Sequence, residues 1–132
     1  MEIAINDCIP TYAGGLGILA GDALKSCADL NLPVVGLTLL YKKGYFRQKI
    51  DQEGRQIEEE QSWDPQKELK KLDNKVKIKI KDEDVTIGCW LYELEGISGE
   101  KKPVLFLDTD LKENSEYFRR VCDRLYHGEQ KD

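Results

Sequence analysis

Gly14, Gly15 and Gly17 stand directly before a stretch with helical periodicity, and a nearly continuous apolar run from Pro33 to Tyr41 follows it closely. Each glycine costs conformational entropy on folding, so three together need a reason. Either the backbone turns too sharply for a Cβ, or something must approach it closely. After the glycines, Leu16, Leu19, Ala20, Ala23, Leu24, Cys27 and Leu30 recur at steps of three and four, while Asp22, Lys25, Ser26 and Asp29 fall on the opposite side. This spacing predicts an amphipathic helix with one buried stripe, ended by Asn31 and Pro33. Val34 to Leu40 reads as a strand buried on both faces, and Met1 to Ile5 reads as a strand before the loop. Strand, glycine loop, helix and strand predict a βαβ unit with a parallel pair over residues 1–41 or so.

The pattern then changes. Lys43-Gly44 and Asp51-Gln52-Glu53-Gly54 are turn sequences, so residues 44–58 predict a β-hairpin. Asp64 is placed to cap a short helix with Pro65 at its first position, running to about Leu72. Lys75 to Lys81 alternates lysine with Val76, Ile78 and Ile80, a strand with one face in water. Val85, Ile87, Cys89 and Leu91 line one face of the next strand, and Trp90 and Tyr92 the other. Pro103 to Leu107 is a further buried strand, so strands are expected across residues 75–109. Ser115 to Tyr126 predicts a helix, with Arg120 one turn from Glu116 and Arg119 one turn from Asp123. The fold class is α/β, with a mixed sheet and a hairpin elaboration in a single partial domain over residues 1–132.

Charge narrows the partners. The chain carries 20 Lys and Arg against 25 Asp and Glu, interspersed. That balance argues against a nucleic-acid surface and an anionic membrane surface. The lysine row at 75–81 is cancelled at once by Asp82, Glu83 and Asp84, and lysine there discourages edge-to-edge pairing. The longest apolar runs are too short to span a bilayer, and no charged start precedes a long apolar segment, so no secretory signal is expected. Cys8, Cys27, Cys89 and Cys122 are widely spaced and His127 is the only histidine, which fits reduced thiols of a cytoplasmic protein better than a zinc site. The abrupt start on a strand and the polar end lead us to expect a piece of something larger.

Two places carry candidate chemistry. A helix opening near Gly15 presents free N–H groups and the positive end of its dipole, which suits an anion; a tight turn packed on the sheet explains the same glycines. Gly15 to Ala20 also fits Gly-x-Gly-x-x-Ala formally, but eight residues separate it from the preceding strand, and the next strand ends on Lys42-Lys43 rather than on a ribose-binding acid. Asp108 and Asp110 follow a buried strand, where α/β proteins place ligand groups and where acids also cap turns.

The run from Met1 through "IPTYAGGLGILAGDALKSCADLNLPVVGLTLLYKKGYFRQKID" closely resembles the N-terminal region of α-glucan (glycogen) phosphorylases, notably the shorter bacterial and archaeal type. The resemblance continues at Gly54 to Glu58, at Trp63-Asp64-Pro65, at Pro103 to Asn114 and at Asp123 to Gly128, in order and with compatible spacing. It implies an enzyme that uses phosphate to split the terminal α-1,4 bond of a glucan, releasing glucose 1-phosphate, with pyridoxal phosphate on a lysine in a C-terminal domain.

It also implies a fold of two Rossmann-like domains, of which this chain would be an incomplete N-terminal one. By resemblance, Gly14 and Gly15 face the substrate phosphate, Leu16 borders the glucosyl unit, and Glu2 lies near the site. The implied partners are α-1,4-glucan and phosphate, together with a second copy or the missing C-terminal part. No lysine here sits in a cofactor-lysine motif, so no covalently bound pyridoxal phosphate is expected on this chain, and the chain alone is expected to be inactive. A non-catalytic binding or assembly module, and a nucleotide-sugar glycosyltransferase of related architecture, remain the alternatives.

Overall fold

A computed structural model describes residues 2–126; His127 and the Gly128 end of the last motif lie outside the described residues. The elements in chain order are α1 (Gly15–Asp29), β1 (Gly36–Leu39), β2 (Arg47–Ile50), β3 (Gln56–Glu59), α2 (Pro65–Glu68), β4 (Lys70–Ile80), β5 (Glu83–Glu95), β6 (Lys101–Asp108) and α3 (Glu116–Arg119). A four-stranded mixed sheet runs β1-β6-β5-β4, and β2 and β3 form a separate antiparallel pair. The protein is therefore α/β with a mixed sheet and a hairpin.

The parallel pair is β1 with β6, in the register Gly36 to Val104 and Thr38 to Phe106. This corrects the expected βαβ unit. Residues 2–5 form no strand; they run as extended chain beneath α1, where the Ala4 N–H donates to the Gly17 carbonyl at 2.9 Å and the Ile3 N–H to the Thr11 carbonyl at 3.3 Å. Ile3 and Ile5 are buried there without strand pairing. Apolar alternation records burial, and burial came without a ladder.

The buried stripe of α1 also differs from expectation. Leu16, Leu19 and Leu30 are 72, 68 and 70% exposed, whereas Gly17, Gly21 and Ala28 are buried. The helix approaches the chain with its smallest residues. A Cβ on Gly21 would sit 1.9 Å from the Ala4 carbonyl oxygen, so glycine is what permits the contact. The predicted end holds: Asn31 takes φ 50° and the Leu32 N–H closes back on the Cys27 carbonyl at 2.9 Å.

The main core cluster lies on one face of the sheet, while on the other face, in line with Ile87, Cys89 and Leu91, Val85 is fully buried. Cross-strand rows Gly36–Val104–Tyr92 and Thr38–Phe106–Trp90 point into it, joined by Ile3, Ile5, Ile9, Leu40, Leu69, Leu94 and Ala28. Phe106 is fully buried, which contributes about 1.5–3 kcal/mol by area removed from water. The opposite rows are Leu37–Leu105–Leu91–Lys70 and Leu39–Leu107–Cys89–Leu72. None of their seven apolar side chains is buried, and Leu37 is 56% exposed. The expected strand buried on both faces is thus buried on one.

Asp64 caps α2 as expected, accepting the Gln66 N–H at 3.0 Å, but α2 ends at Glu68 and the chain enters β4. The predicted helix over 115–126 shrinks to Glu116–Arg119 followed by turns. Local pairing explains only part of its charges. Arg120 pairs with Glu116 at 3.9 Å, but Arg119 pairs with Asp110, Asp123 with Lys43 and Arg124 with Glu60. Those longer-range pairs pin the segment, so a continuous helix is not needed to satisfy it.

Candidate functional site

α1 opens on Gly14, which is extended at φ −162° and has no side-chain cap. The cap comes instead from eleven and fifteen residues upstream. The Ala13 N–H donates to Glu2 Oε2 at 2.8 Å, and the Gly17 N–H to Glu2 Oε1 at 3.0 Å. Glu2 is 6% exposed, so this is a buried carboxylate with both oxygens engaged by main chain. A carboxylate at a helix N-terminus meets the positive end of the dipole, which is why the charge is tolerated there.

Between the two clasped amides lie Gly14, Gly15 and Leu16. Their N–H groups have no partner among the described residues, and all three residues are exposed. A Cβ added at Gly14 or Gly15 would meet nothing within 4 Å, and neither residue has a positive φ. So neither backbone strain nor packing among the described residues calls for glycine at 14 and 15. At Gly17 it does: a Cβ would lie 2.7 Å from Tyr12 Cβ. The loop thus divides into structural glycines, 17 and 21, and open ones, 14 and 15. The four sequence-predicted site residues, Glu2, Gly14, Gly15 and Leu16, come together at one helix end, with Glu2 underneath and the other three facing outward. The roles of the Ala13 and Gly17 amides escaped the sequence, since nothing in it shows that an acid fifteen residues away folds back.

A cleft of about 200 Å³ lies beside this loop, lined by Asp7, Pro10, Tyr12, Ala13, Tyr45, Phe46 and Gln61. A larger one, about 350 Å³, continues past Tyr45 and Phe46 to Arg124 and Tyr126. The "GYFRQ" stretch therefore supplies a wall near the loop as well as the start of the hairpin.

The acids after β6 resolve toward structure. Asp108 is 3% exposed, accepts the Trp90 Nε1–H at 3.2 Å and the Asp110 N–H at 2.9 Å, and lies 3.5 Å from Lys42 Nζ. Asp110 takes Lys42 at 2.9 Å and Arg119 at 2.9 Å. The hydrogen bond from Lys42 holds the Asp110 carboxyl below its ordinary range, helped by Arg119. Burial disfavours the Lys42 charge, but Asp110 and Asp108 together outweigh it and raise its pKa. Every group in this network has a partner, so it ties the end of β1 to the end of β6.

The fold is an α/β domain whose glycine-opened helix leaves main-chain amides open to approach. The particular family follows from comparison. A family model described as carbohydrate phosphorylase matches residues 12–89, and the chain belongs to that family. It is 38% identical over 98% of its length to the maltodextrin phosphorylase of Thermococcus litoralis, covering 16% of that protein. It is 38% identical over 98% of its length to the glycogen phosphorylase of Mycobacterium tuberculosis, covering 15%. With the glycogen phosphorylase of Aquifex aeolicus the figures are 36%, 95% and 18%. The chain thus spans less than a fifth of the length of these relatives, matching their N-terminal segment. Among the described residues no helix is long and apolar enough to cross a membrane.

Proposed function

We propose that this chain supplies one wall of the active site of an α-glucan phosphorylase, an enzyme that releases glucose 1-phosphate from α-1,4-glucan with inorganic phosphate. The observation that carries the reading is the set of three amides at Gly14, Gly15 and Leu16 without a partner among the described residues, opened to approach by two glycines that the described fold does not require. Those amides donate to the substrate phosphate, Leu16 borders the sugar, and Glu2 acts from below by holding Ala13 and Gly17. A hydrogen-bonded, preorganised amide set stabilises charge that develops on phosphate without reorganising.

The described residues of this chain do not fit the pyridoxal phosphate that the resemblance implies for the complete enzyme. A Schiff base needs a neutral, shielded amine. Lys42 is held charged by two aspartates, Lys102 Nζ is bonded to Asn31 at 2.6 Å, and the other described lysines are exposed. Any cofactor lysine belongs to the rest of the polypeptide, and the chain alone is inactive. The reading carries a cytoplasmic location with it, in keeping with four free thiols.

The test is a titration of the isotope-labelled chain with inorganic phosphate, followed by amide NMR. The amides of Gly14, Gly15 and Leu16 shift saturably and together, and those of the β2–β3 hairpin do not. Shifts spread evenly over the surface, or none at the loop, would end the reading.

A further inference from the structure

The two clefts beside the glycine loop share a wall. The one of about 200 Å³ and the one of about 350 Å³ are both lined by Tyr45, Phe46 and Gln61. They form one trough, which begins at Ala13 and runs along the two rings to Glu58 and Arg124. Gly44 places that wall. It takes φ 54°, and a Cβ there would lie 2.5 Å from the Pro10 carbonyl oxygen. Only glycine lets the chain turn so close to the lead-in of the loop. The turn brings Tyr45 and Phe46, with ring centroids 4.1 Å apart, alongside Tyr12 and Ala13. Both aromatic residues are half-buried, so each leaves part of its surface to the trough. The polar groups select the ligand. The two cations of the trough are paired already, Lys43 with Asp123 at 3.8 Å and Arg124 with Glu60, so neither is free to draw an anion. Asp7 and Glu58 accept from hydroxyls, and Gln61 both accepts and donates. Aromatic surface flanked by such groups fits an uncharged polyhydroxy chain.

We propose that this trough holds glucosyl units of the glucan beyond the one that Leu16 borders, with Tyr45 and Phe46 as its apolar wall and Asp7 and Gln61 as its hydroxyl partners, and that it sets a preference for longer chains. The inference rests on the glucan reading given above and adds to it the residues that read chain length. The trough opens beside the amides of the loop and leads away from them, so the loop takes the anion and the trough takes the neutral chain. Tyr45 and Phe46 directly precede β2, and Glu58 lies in β3. The base of the hairpin therefore favours glucans long enough to reach it.

The isotope-labelled chain is titrated with maltose and with maltoheptaose, without phosphate, and followed by amide NMR. Maltoheptaose shifts the amides of Tyr12, Tyr45, Phe46 and Gln61 saturably. It binds about tenfold or more tighter than maltose, because the longer chain covers more of the aromatic surface. Tyr45→Ala weakens maltoheptaose about tenfold, the loss of one apolar face. Gln61→Ala removes no ring and weakens it too, which keeps the test intact if the Tyr45 variant changes the amide spectrum outside the trough. Equal affinity for the two sugars, no binding of either, shifts that avoid these four residues, or affinity unchanged in Gln61→Ala overturns the proposal. Loop amides that answer phosphate while the trough stays silent to maltoheptaose remove this inference and leave the phosphate reading standing. The reverse pattern supports the trough and removes the phosphate reading alone.

Discussion

Glu2 Oε1 accepts the Gly17 N–H at 3.0 Å across fifteen residues and so closes one side of the open stretch of the glycine loop. With Oε2 on Ala13, the carboxylate takes the amides on either side of residues 14–16, whose own N–H groups have no partner among the described residues. Removing it strands two donors, one on the buried Gly17. Glu2→Ala is therefore expected to cost about 1–3 kcal/mol, the penalty for an unsatisfied buried donor. Glu2→Gln is not a conservative change here, because its amide NH2 faces one of the two N–H groups. It should fall between Ala and wild type. Urea denaturation of the three chains checks the order, and equal midpoints would show that the clasp does not support the loop.

The glycines separate by role. A Cβ at Gly15 meets open space, while one at Gly21 meets the Ala4 carbonyl carbon at 2.8 Å and its oxygen closer still. Gly15→Ala should leave the thermal midpoint of the chain unchanged or slightly raised, since alanine restricts the unfolded state. Gly21→Ala should lower it by many degrees or prevent folding. In a phosphorylase that carries this segment, Gly15→Ala should reduce phosphorolysis by about 2–4 kcal/mol of barrier, the scale of one lost oxyanion donor. The two measurements should part company at Gly15, where turnover falls while the midpoint holds, whereas Gly21→Ala should lower both. A Gly15→Ala enzyme with normal turnover would remove the loop from the catalytic account.

Much of this was legible in the residues, and the failures have physical causes. The helix start, the Asn31 end, the Asp64 cap and the hairpin were readable because each depends on chemistry within a few residues. The gathering of Glu2 with Gly14, Gly15 and Leu16 was legible only through the family resemblance. The face of α1 was misread because apolar periodicity gives two candidate stripes, leucine and glycine-alanine, and close approach of the Ala4 backbone selected the smaller one. The strand expected over residues 1–5 and the helix expected over 115–126 failed for a shared reason. Their residues are satisfied by tertiary partners, Gly17 and Thr11 in one case, Asp110, Lys43 and Glu60 in the other. No local pattern encodes those.

The Lys42–Asp110 pair sets a pH window. Asp110 is depressed chiefly by the hydrogen bond from Lys42, so its contribution is present above the ordinary aspartate pKa of about 3.9 and is lost as pH falls through the lower folded value. Lys42 is raised, so its contribution is full below about 10.4 and is lost as pH rises through the higher folded value. Asp110→Asn should lower stability at pH 7 and flatten the acid limb. It will not abolish that limb, because Asp51, bonded by Arg55, and Glu113, bonded by Lys75, are depressed too. Both Asp110 and Lys42 are about a third exposed, so the effect is small and salt should shrink it. Urea midpoints from pH 7 to pH 2 for wild type and Asp110→Asn test it; parallel acid limbs would mean the pair is not coupled to folding.

The concentration of the main core cluster on one face makes its own prediction. Phe106 and Leu105 are neighbours on β6 and face opposite sides of the same sheet. Phe106 is fully buried among Thr38, Trp90 and the α1 side of the core, so Phe106→Ala leaves a cavity and should cost about 3–5 kcal/mol. Leu105 is paired across the ladder with Leu37 and Leu91 and is only half-buried. Leu105→Ala should cost about 1 kcal/mol in the chain alone, because little cavity forms around a half-buried side chain. The ratio is the test, read from urea midpoints of the two variants. Comparable losses would mean that the second face is already covered within this chain, and the leucine rows would then belong to its own core.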